Sequence, residues 1–245
     1  MSAHAADPAG NLGTDGITVN LDTVAPIVTI TAPAAGFLTR NAQMTVTGQI
    51  SEEFTTVTVN DIPATVNGKS FTLAYNLSEG ANFLNVRATD RAKNPGNATV
   101  TGSLDSTAPA APVLIASKSP TNVANIILSG TAEANASVKA FAGTTLLGTV
   151  TADGQGNFNL ANVTLAEGTN TFTALAADTA ENESAASLPL NVILDTQPPQ
   201  LTVSTLADGS YTNNATLNIT GTAQDNVGLR DLRINGTVVP VNADG

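Results

Sequence analysis

The chain has 245 residues, 20 Asp and Glu against 9 Lys and Arg, a formal net charge of −11, one His and no Cys. That balance argues against a nucleic-acid surface, which needs clustered cations, and with no Cys and a single His a Cys/His dyad, a Ser/His/Asp triad and a His-ligated zinc site are not expected. Aromatics are only 4% and no run approaches the ~20 apolar residues of a membrane helix, while abundant Thr, Val, Asn and Gly suit short strands and turns.

In chain order, residues 1–21 hold an Asp-x-Ala-x-Asn segment at Asp7 to Asn11, and the only histidine, His4, is expected to be solvated. Asp22-Thr-Val-Ala-Pro26 follows and reads as a linker whose proline opens the next strand. Met44 and Val46 then alternate up to Gly48, and Phe71, Leu73, Tyr75 and Leu77 form a second period-two row. Asn67-Gly68 between them reads as a tight turn. Leu77-Ser-Glu-Gly-Ala-Asn82 leads into a third row, Leu84, Val86 and Ala88, and Asp90 to Asn94 repeats the Asp-x-Ala-x-Asn segment.

The same markers then return in the same order. The linker recurs at Asp105 and Asp195, 83 and 90 residues on. Ile126 and Leu128 before Gly130, and Leu217 and Ile219 before Gly221, repeat the first apolar pair. Asp153-Gly154 reads as a turn, Leu165 to Asn170 repeats the Leu-x-Glu-Gly-x-Asn segment, Phe172, Ala174 and Ala176 repeat the third row, and Asp178 to Asn182 closes the unit. Internal periodicity of this kind marks a repeat architecture. The expected division is residues 1–21 as the end of one unit, 22–104 and 105–194 as complete units, and 195–245 as the first half of another. Units of 80–90 residues with about seven strands each and no helical periodicity give an all-β fold, a tandem array of immunoglobulin-like β-sandwiches. The partial last unit is expected to be poorly ordered or to expose sheet edges. Residues 1–21 supply a final strand but not the two before it. The chain therefore reads as a monomeric fragment rather than a strand-exchanged fibre.

The segments Asp-Thr-x-x-Pro, Leu-x-Glu-Gly-x-Asn and Asp-x-Ala-x-Asn resemble the bacterial Ig-like repeats of large surface proteins and adhesins. The resemblance covers essentially the whole chain. It implies a non-catalytic spacer or stalk outside a bacterial cell, with an adhesin as the leading parent and neighbouring repeats of the same chain as partners. Two other readings stand beside it: a module that contacts a glycan or protein directly, and an accessory stalk of a secreted polysaccharide-degrading enzyme. Host or matrix partners would bind through regions outside this chain, and membrane insertion is not expected here.

Calcium is the one cofactor the residue types favour. In an Ig sandwich the linker, the B–C loop and the F–G loop meet at one pole. That would gather Asp22, Glu52, Asp90 and Asn94 in the first complete unit, and Asp105, Glu133, Asp178 and Asn182 in the second. Asp195 and Asp225 would remain in the third. Calcium takes six to eight oxygen ligands and needs neither His nor Cys. The competing reading is that these are turn residues, with Asp and Asn hydrogen-bonding their own backbone. Very short proline linkers are expected to set neighbouring units end to end with limited bending.

Overall fold

The computed structural model describes all residues except 54, 116–117, 204–206, 218 and 242–245. Those described form strands, turns and irregular segments, and no helix among them is long and apolar enough to cross a membrane. They fall into two compact units, Met1–Thr107 and Ala108–Gly245.

The first unit opens with a hairpin of β1 (Ser2–Ala6) and β2 (Leu12–Gly16), every residue of it exposed. The first full repeat follows. Its strands are β3 (Val28–Ala32), β4 (Phe37–Thr39), β5 (Gln43–Ile50), β6 (Thr56–Val59), β7 (Ile62–Pro63), β8 (Thr65–Asn67), β9 (Ser70–Asn76), β10 (Gly80–Thr89) and β11 (Pro95–Leu104). One sheet runs β3-β5-β9-β8 and the other β4-β11-β10-β6-β7. All pairings are antiparallel except β4 with β11. The period-two rows explain why two sheets close on one another. Val46 on β5 and Phe71 on β9 pack with Val57 and Val59 on β6, with Leu84, Val86 and Ala88 on β10 and with Val100 and Leu104 on β11. Burying a Leu, Val or Phe side chain contributes about 1.5–3 kcal/mol each, so this shared core is what makes the sandwich fold.

The recurrent glycine before the B–C loop has a packing reason. A Cβ on Gly48 would collide with the ring of Phe71 and the carbonyl of Thr29. A Cβ on Gly130 would collide in the same way with Phe158 and the carbonyl of Val113. Each of the two full repeats therefore lays an aromatic ring directly on bare backbone.

The second full repeat comprises β12 (Val113–Ile115), β13 (Asn125–Thr131), β14 (Ser137–Ala142), β15 (Thr145–Thr151), β16 (Asn157–Thr164), β17 (Gly168–Ala177) and β18 (Leu190–Leu194). Its sheets run β12-β13-β16 and β15-β14-β17-β18. Leu128, Phe172, Val192 and Leu194 anchor one core cluster, and Val138, Phe158, Ala174 and Ala176 another. A parallel bridge from Thr121 to Leu194 repeats the β4–β11 contact of the first repeat.

Beyond it lie two small hairpins, β19 (Gln200–Val203) with β20 (Gly221–Gln224), and β21 (Leu232–Ile234) with β22 (Thr237–Val239). Ala223 is buried, but Leu201, Val203 and Ile219 are 60%, 60% and 47% exposed.

Two turns differ from the sequence expectation. Asn67 pairs with Ser70, so the β8–β9 turn is centred on Gly68-Lys69, one residue later than the Asn-Gly dipeptide suggests. Gly68, at φ 58, supplies the left-handed first turn position. Asp153-Gly154 is not a two-residue turn. Asp153 opens a longer loop that closes on Asn157.

Candidate functional site

The recurrent polar residues perform the same local tasks in each repeat. In the F–G loop, Asp90 Oδ1 accepts the Asn94 amide at 2.8 Å, and Asn94 Nδ2 donates to Asp90 Oδ2 at 2.8 Å. Asp178 accepts the amides of Ala180 and Asn182 at 2.8 and 2.9 Å, and Asn182 Nδ2 donates to it at 2.8 Å. Asp7 and Asn11 in the leading hairpin make the same set. The fourth loop residue is left-handed each time: Gly10 at φ 88, Lys93 at φ 75 and Glu181 at φ 66. This is an Asx turn locked by a second side chain.

These bonds act on the ionised carboxylate. Burial pulls the Asp90 carboxyl up, but donors from the Asn94 side chain and from the Asn94, Ala92 and Lys93 amides outweigh it and hold the group below its usual 3.8. Asp7 is lowered chiefly by the Asn11 side chain. Asp153 is lowered chiefly by the Asn157 amide.

The Leu-x-Glu-Gly-x-Asn segment has two tasks. Asn82 accepts the Ser78 amide and donates back to the Ser78 and Gly80 carbonyls, as Asn170 does with Ala166 and Gly168. Its glutamate reaches the outgoing linker. Glu79 accepts the Ser106 amide at 3.2 Å and the Ser106 hydroxyl at 2.7 Å, and Glu167 does the same for Thr196 at 3.2 and 2.9 Å. The linker aspartates cap backbone amides two residues on: Asp22 that of Val24, Asp105 that of Thr107 and Asp195 that of Gln197. In addition the Asp105 amide donates to Thr39 and the Asp195 amide to Thr121, both at 2.9 Å. Each linker start is thereby tied to the repeat it leaves.

One pole gathers carboxylates from three separate segments. An oxygen from each of Asp22, Glu52 and Asp90 lies within 4.8 Å of the others, with Asp22 exposed, Glu52 half-buried and Asp90 buried. The Glu52 carboxylate has no hydrogen bond among the described residues. Asn94 adjoins the group with its amide as donor, to Asp90 and to the Asp22 carbonyl at 3.1 Å. No second triad of this kind occurs among the described residues. Glu133 is exposed, Asn182 is turned as a donor to Asp178, and Asp225 caps the amides of Val227 and Gly228 at 2.9 Å.

Sequence reasoning missed two features. Asp153 and Asn157 form a fourth Asp/Asn lock, detectable as Asp and Asn four apart. The glutamate clamp was detectable as the Ser or Thr that follows Asp105 and Asp195.

Residues 108–189 match the family described as a bacterial Ig domain. The second repeat is thus similar to a bacterial Ig domain. Residues 26–106 match a different family, domain B of glucodextranase. Over 128 residues the chain is 35% identical to Bacillopeptidase F of Bacillus subtilis (strain 168), covering 52% of this chain and 9% of that protein. Among solved structures, similar chains include the fibronectin(III)-like modules of Clostridium thermocellum CbhA (14% identity, TM-score 0.44, 69% of this chain and 94% of that one). Others are a bacterial ice-binding adhesin (17%, 0.41, 79% and 74%) and a tetra-tandem repeat from a large adhesion protein (22%, 0.35, 83% and 58%).

Proposed function

We propose that this chain is a non-catalytic spacer within a larger extracellular bacterial protein, of which an adhesin is the first candidate. The observation that carries this reading is that the recurrent polar markers serve the repeat itself. The Asp/Asn lock closes the F–G loop and the glutamate clamp holds the linker start, in both full repeats. Groups with a catalytic duty would occur once; these recur with the period. The test is to replace residues 22–194 in the parent protein with two Ig-like repeats of unrelated surface and equal length. Retained surface attachment fits a spacer, and lost attachment shows that these repeats make the contact themselves.

The Asp22, Glu52 and Asp90 carboxylates are proposed to hold calcium, which would neutralise three like charges and join the linker to two loops. Calorimetric titration with calcium is expected to give saturable heat and a raised melting temperature. Glu52→Gln is expected to abolish that response without lowering the calcium-free melt, because the Glu52 carboxylate has no hydrogen bond among the described residues and its removal relieves repulsion with Asp22 and Asp90. A full response in that variant would assign the cation elsewhere.

A second reading is favoured by the matches to a peptidase and to a glucodextranase domain, namely an accessory segment of a secreted enzyme. The first repeat alone carries Phe83, 58% exposed, beside Leu38, 46% exposed; the position equivalent to Phe83 in the second repeat is Thr171. Retention on an insoluble glucan that is lost in Phe83→Ala would favour this reading.

A further inference from the structure

In the first full repeat the chain enters and leaves at opposite ends of β11. Asn94 Nδ2 donates to the Asp22 carbonyl at 3.1 Å, and the Pro26 carbonyl occupies the space that a Cβ on Gly96 would need, so the entry linker lies against the start of β11. The exit linker follows the end of that strand at Leu104. Near that end β4 runs parallel to β11, with Phe37 opposite Gly102, Leu38 opposite Ser103 and Thr39 opposite Leu104. Tension between the two linkers draws β4, through β3, toward the entry end and draws β11 toward the exit end. Parallel strands pulled in opposite directions must slide, so their hydrogen bonds are loaded together rather than opened one at a time.

The two full repeats differ in how much of this contact they possess. In the first, the three residue pairs are flanked by bonds from the Gly36 amide to the Thr101 carbonyl at 2.8 Å and from the Asp105 amide to the Thr39 carbonyl at 2.9 Å. The Phe37 ring also sits on Gly102, where a Cβ would collide with it. In the second, the parallel contact among the described residues is the single bridge from Thr121 to Leu194. The Thr121 amide donates to the Ile193 carbonyl and the Asp195 amide to the Thr121 carbonyl, both at 2.9 Å. Alignment of Thr121 with Thr39 puts Ser119 and Pro120 where the first repeat has Phe37 and Leu38. Proline has no amide hydrogen to donate, and Ser119 contributes a side-chain bond, accepting the Ile193 amide on Oγ at 3.0 Å. Val192 stands in the place of Gly102, so there is no bare backbone there for a ring.

We propose that this parallel contact bears the load in each full repeat, and that the second repeat yields first under tension. The two repeats then form a graded extensible element. The second opens and lengthens the chain by roughly 200 Å, while the first stays folded. The glutamate clamps occur in both repeats and do not set the order. Force-driven opening follows the unfolding rate, so the order need not follow the equilibrium stabilities of the two repeats. The source of the tension rests on the spacer reading; the order of opening does not, because it is a property of the two contacts.

The test stretches the full chain between handles on its two termini in a single-molecule force measurement. Two openings of whole-repeat size are expected, at distinct forces. The absence of cysteine allows each contact to be locked by a disulfide, since paired strands lie about 4.8 Å apart, within disulfide reach. Oxidised Thr121→Cys, Leu194→Cys closes the second repeat into a covalent loop and should remove the lower-force opening, which returns on reduction. Thr39→Cys, Leu104→Cys should remove the higher-force opening instead. Phe37→Ser with Leu38→Pro gives the first repeat the shorter contact and should bring the higher force down to the lower one. The two locks decide the order even where that variant does not fold. Loss of the higher-force opening in the second-repeat lock, two openings at one force, or an unchanged higher force in the folded Phe37→Ser, Leu38→Pro chain overturns the proposal. Failure of the spacer reading shows instead in the repeat-replacement test of attachment, and leaves these forces as they are.

Discussion

At the scale of single residues, the F–G loops combine a favourable bond set with an unfavourable backbone. Lys93 occupies a left-handed conformation at φ 75, where the equivalent residue of the leading hairpin is Gly10. A side chain in that region clashes with its own backbone, and glycine does not. Lys93→Gly is therefore expected to stabilise the first repeat by about 0.5–1 kcal/mol, read as a raised denaturation midpoint in urea. The acid side follows from the lowered carboxyls of Asp7, Asp90 and Asp153. A group lowered on folding stabilises the folded state above its unfolded value, near 3.9. That contribution is lost as pH falls through the lower folded value. Melting temperatures should be level from pH 7 to about 5 and fall below about 4. Asp90→Asn should melt lower at pH 7 and show a shallower acid decline.

At the scale of elements, strand identity was legible because the alternation is regular. Leu84, Val86 and Ala88 all turn inward, and the intervening Asn85 and Arg87 do not. The glycine ahead of the B–C loop was legible as a marker but not as a contact, since the ring it accommodates comes from β9, more than twenty residues away in the chain. Gly48→Ala forces the Phe71 ring and the β3 backbone apart, and overpacking of this kind costs about 1–3 kcal/mol. Thermal melts should show the loss in the first repeat alone. A neutral effect would mean that the ring can move aside. The misplaced β8–β9 turn has a related cause. Asn-Gly is a sound turn dipeptide, but the cross-strand partners of β9 fix the register, and they set Asn67 opposite Ser70.

For the whole molecule, each full repeat has its own buried cluster, and the chain divides between Thr107 and Ala108. Leu128→Ala should therefore destabilise the second repeat by about 2–5 kcal/mol and leave the first unchanged. Calorimetry of the variant should resolve two transitions, only one of them shifted. A single transition that shifts as a whole would show instead that the two repeats unfold together.

The amino-acid sequence by itself determined the all-β class, the repeat period and the inward rows, because a period of two along a strand and a constant order of turn residues are local properties of the chain. It also brought Asp22, Glu52 and Asp90 onto one list, through the loop order of an Ig sandwich. Only the tertiary structure decided that their carboxylates lie within 4.8 Å of one another while Glu133 joins no such group among the described residues. Only it showed that Glu79 and Glu167 reach 27 and 29 residues along the chain to hold a linker hydroxyl. Which carboxylate meets which donor depends on how two sheets pack, and that packing is set by residues far from either partner.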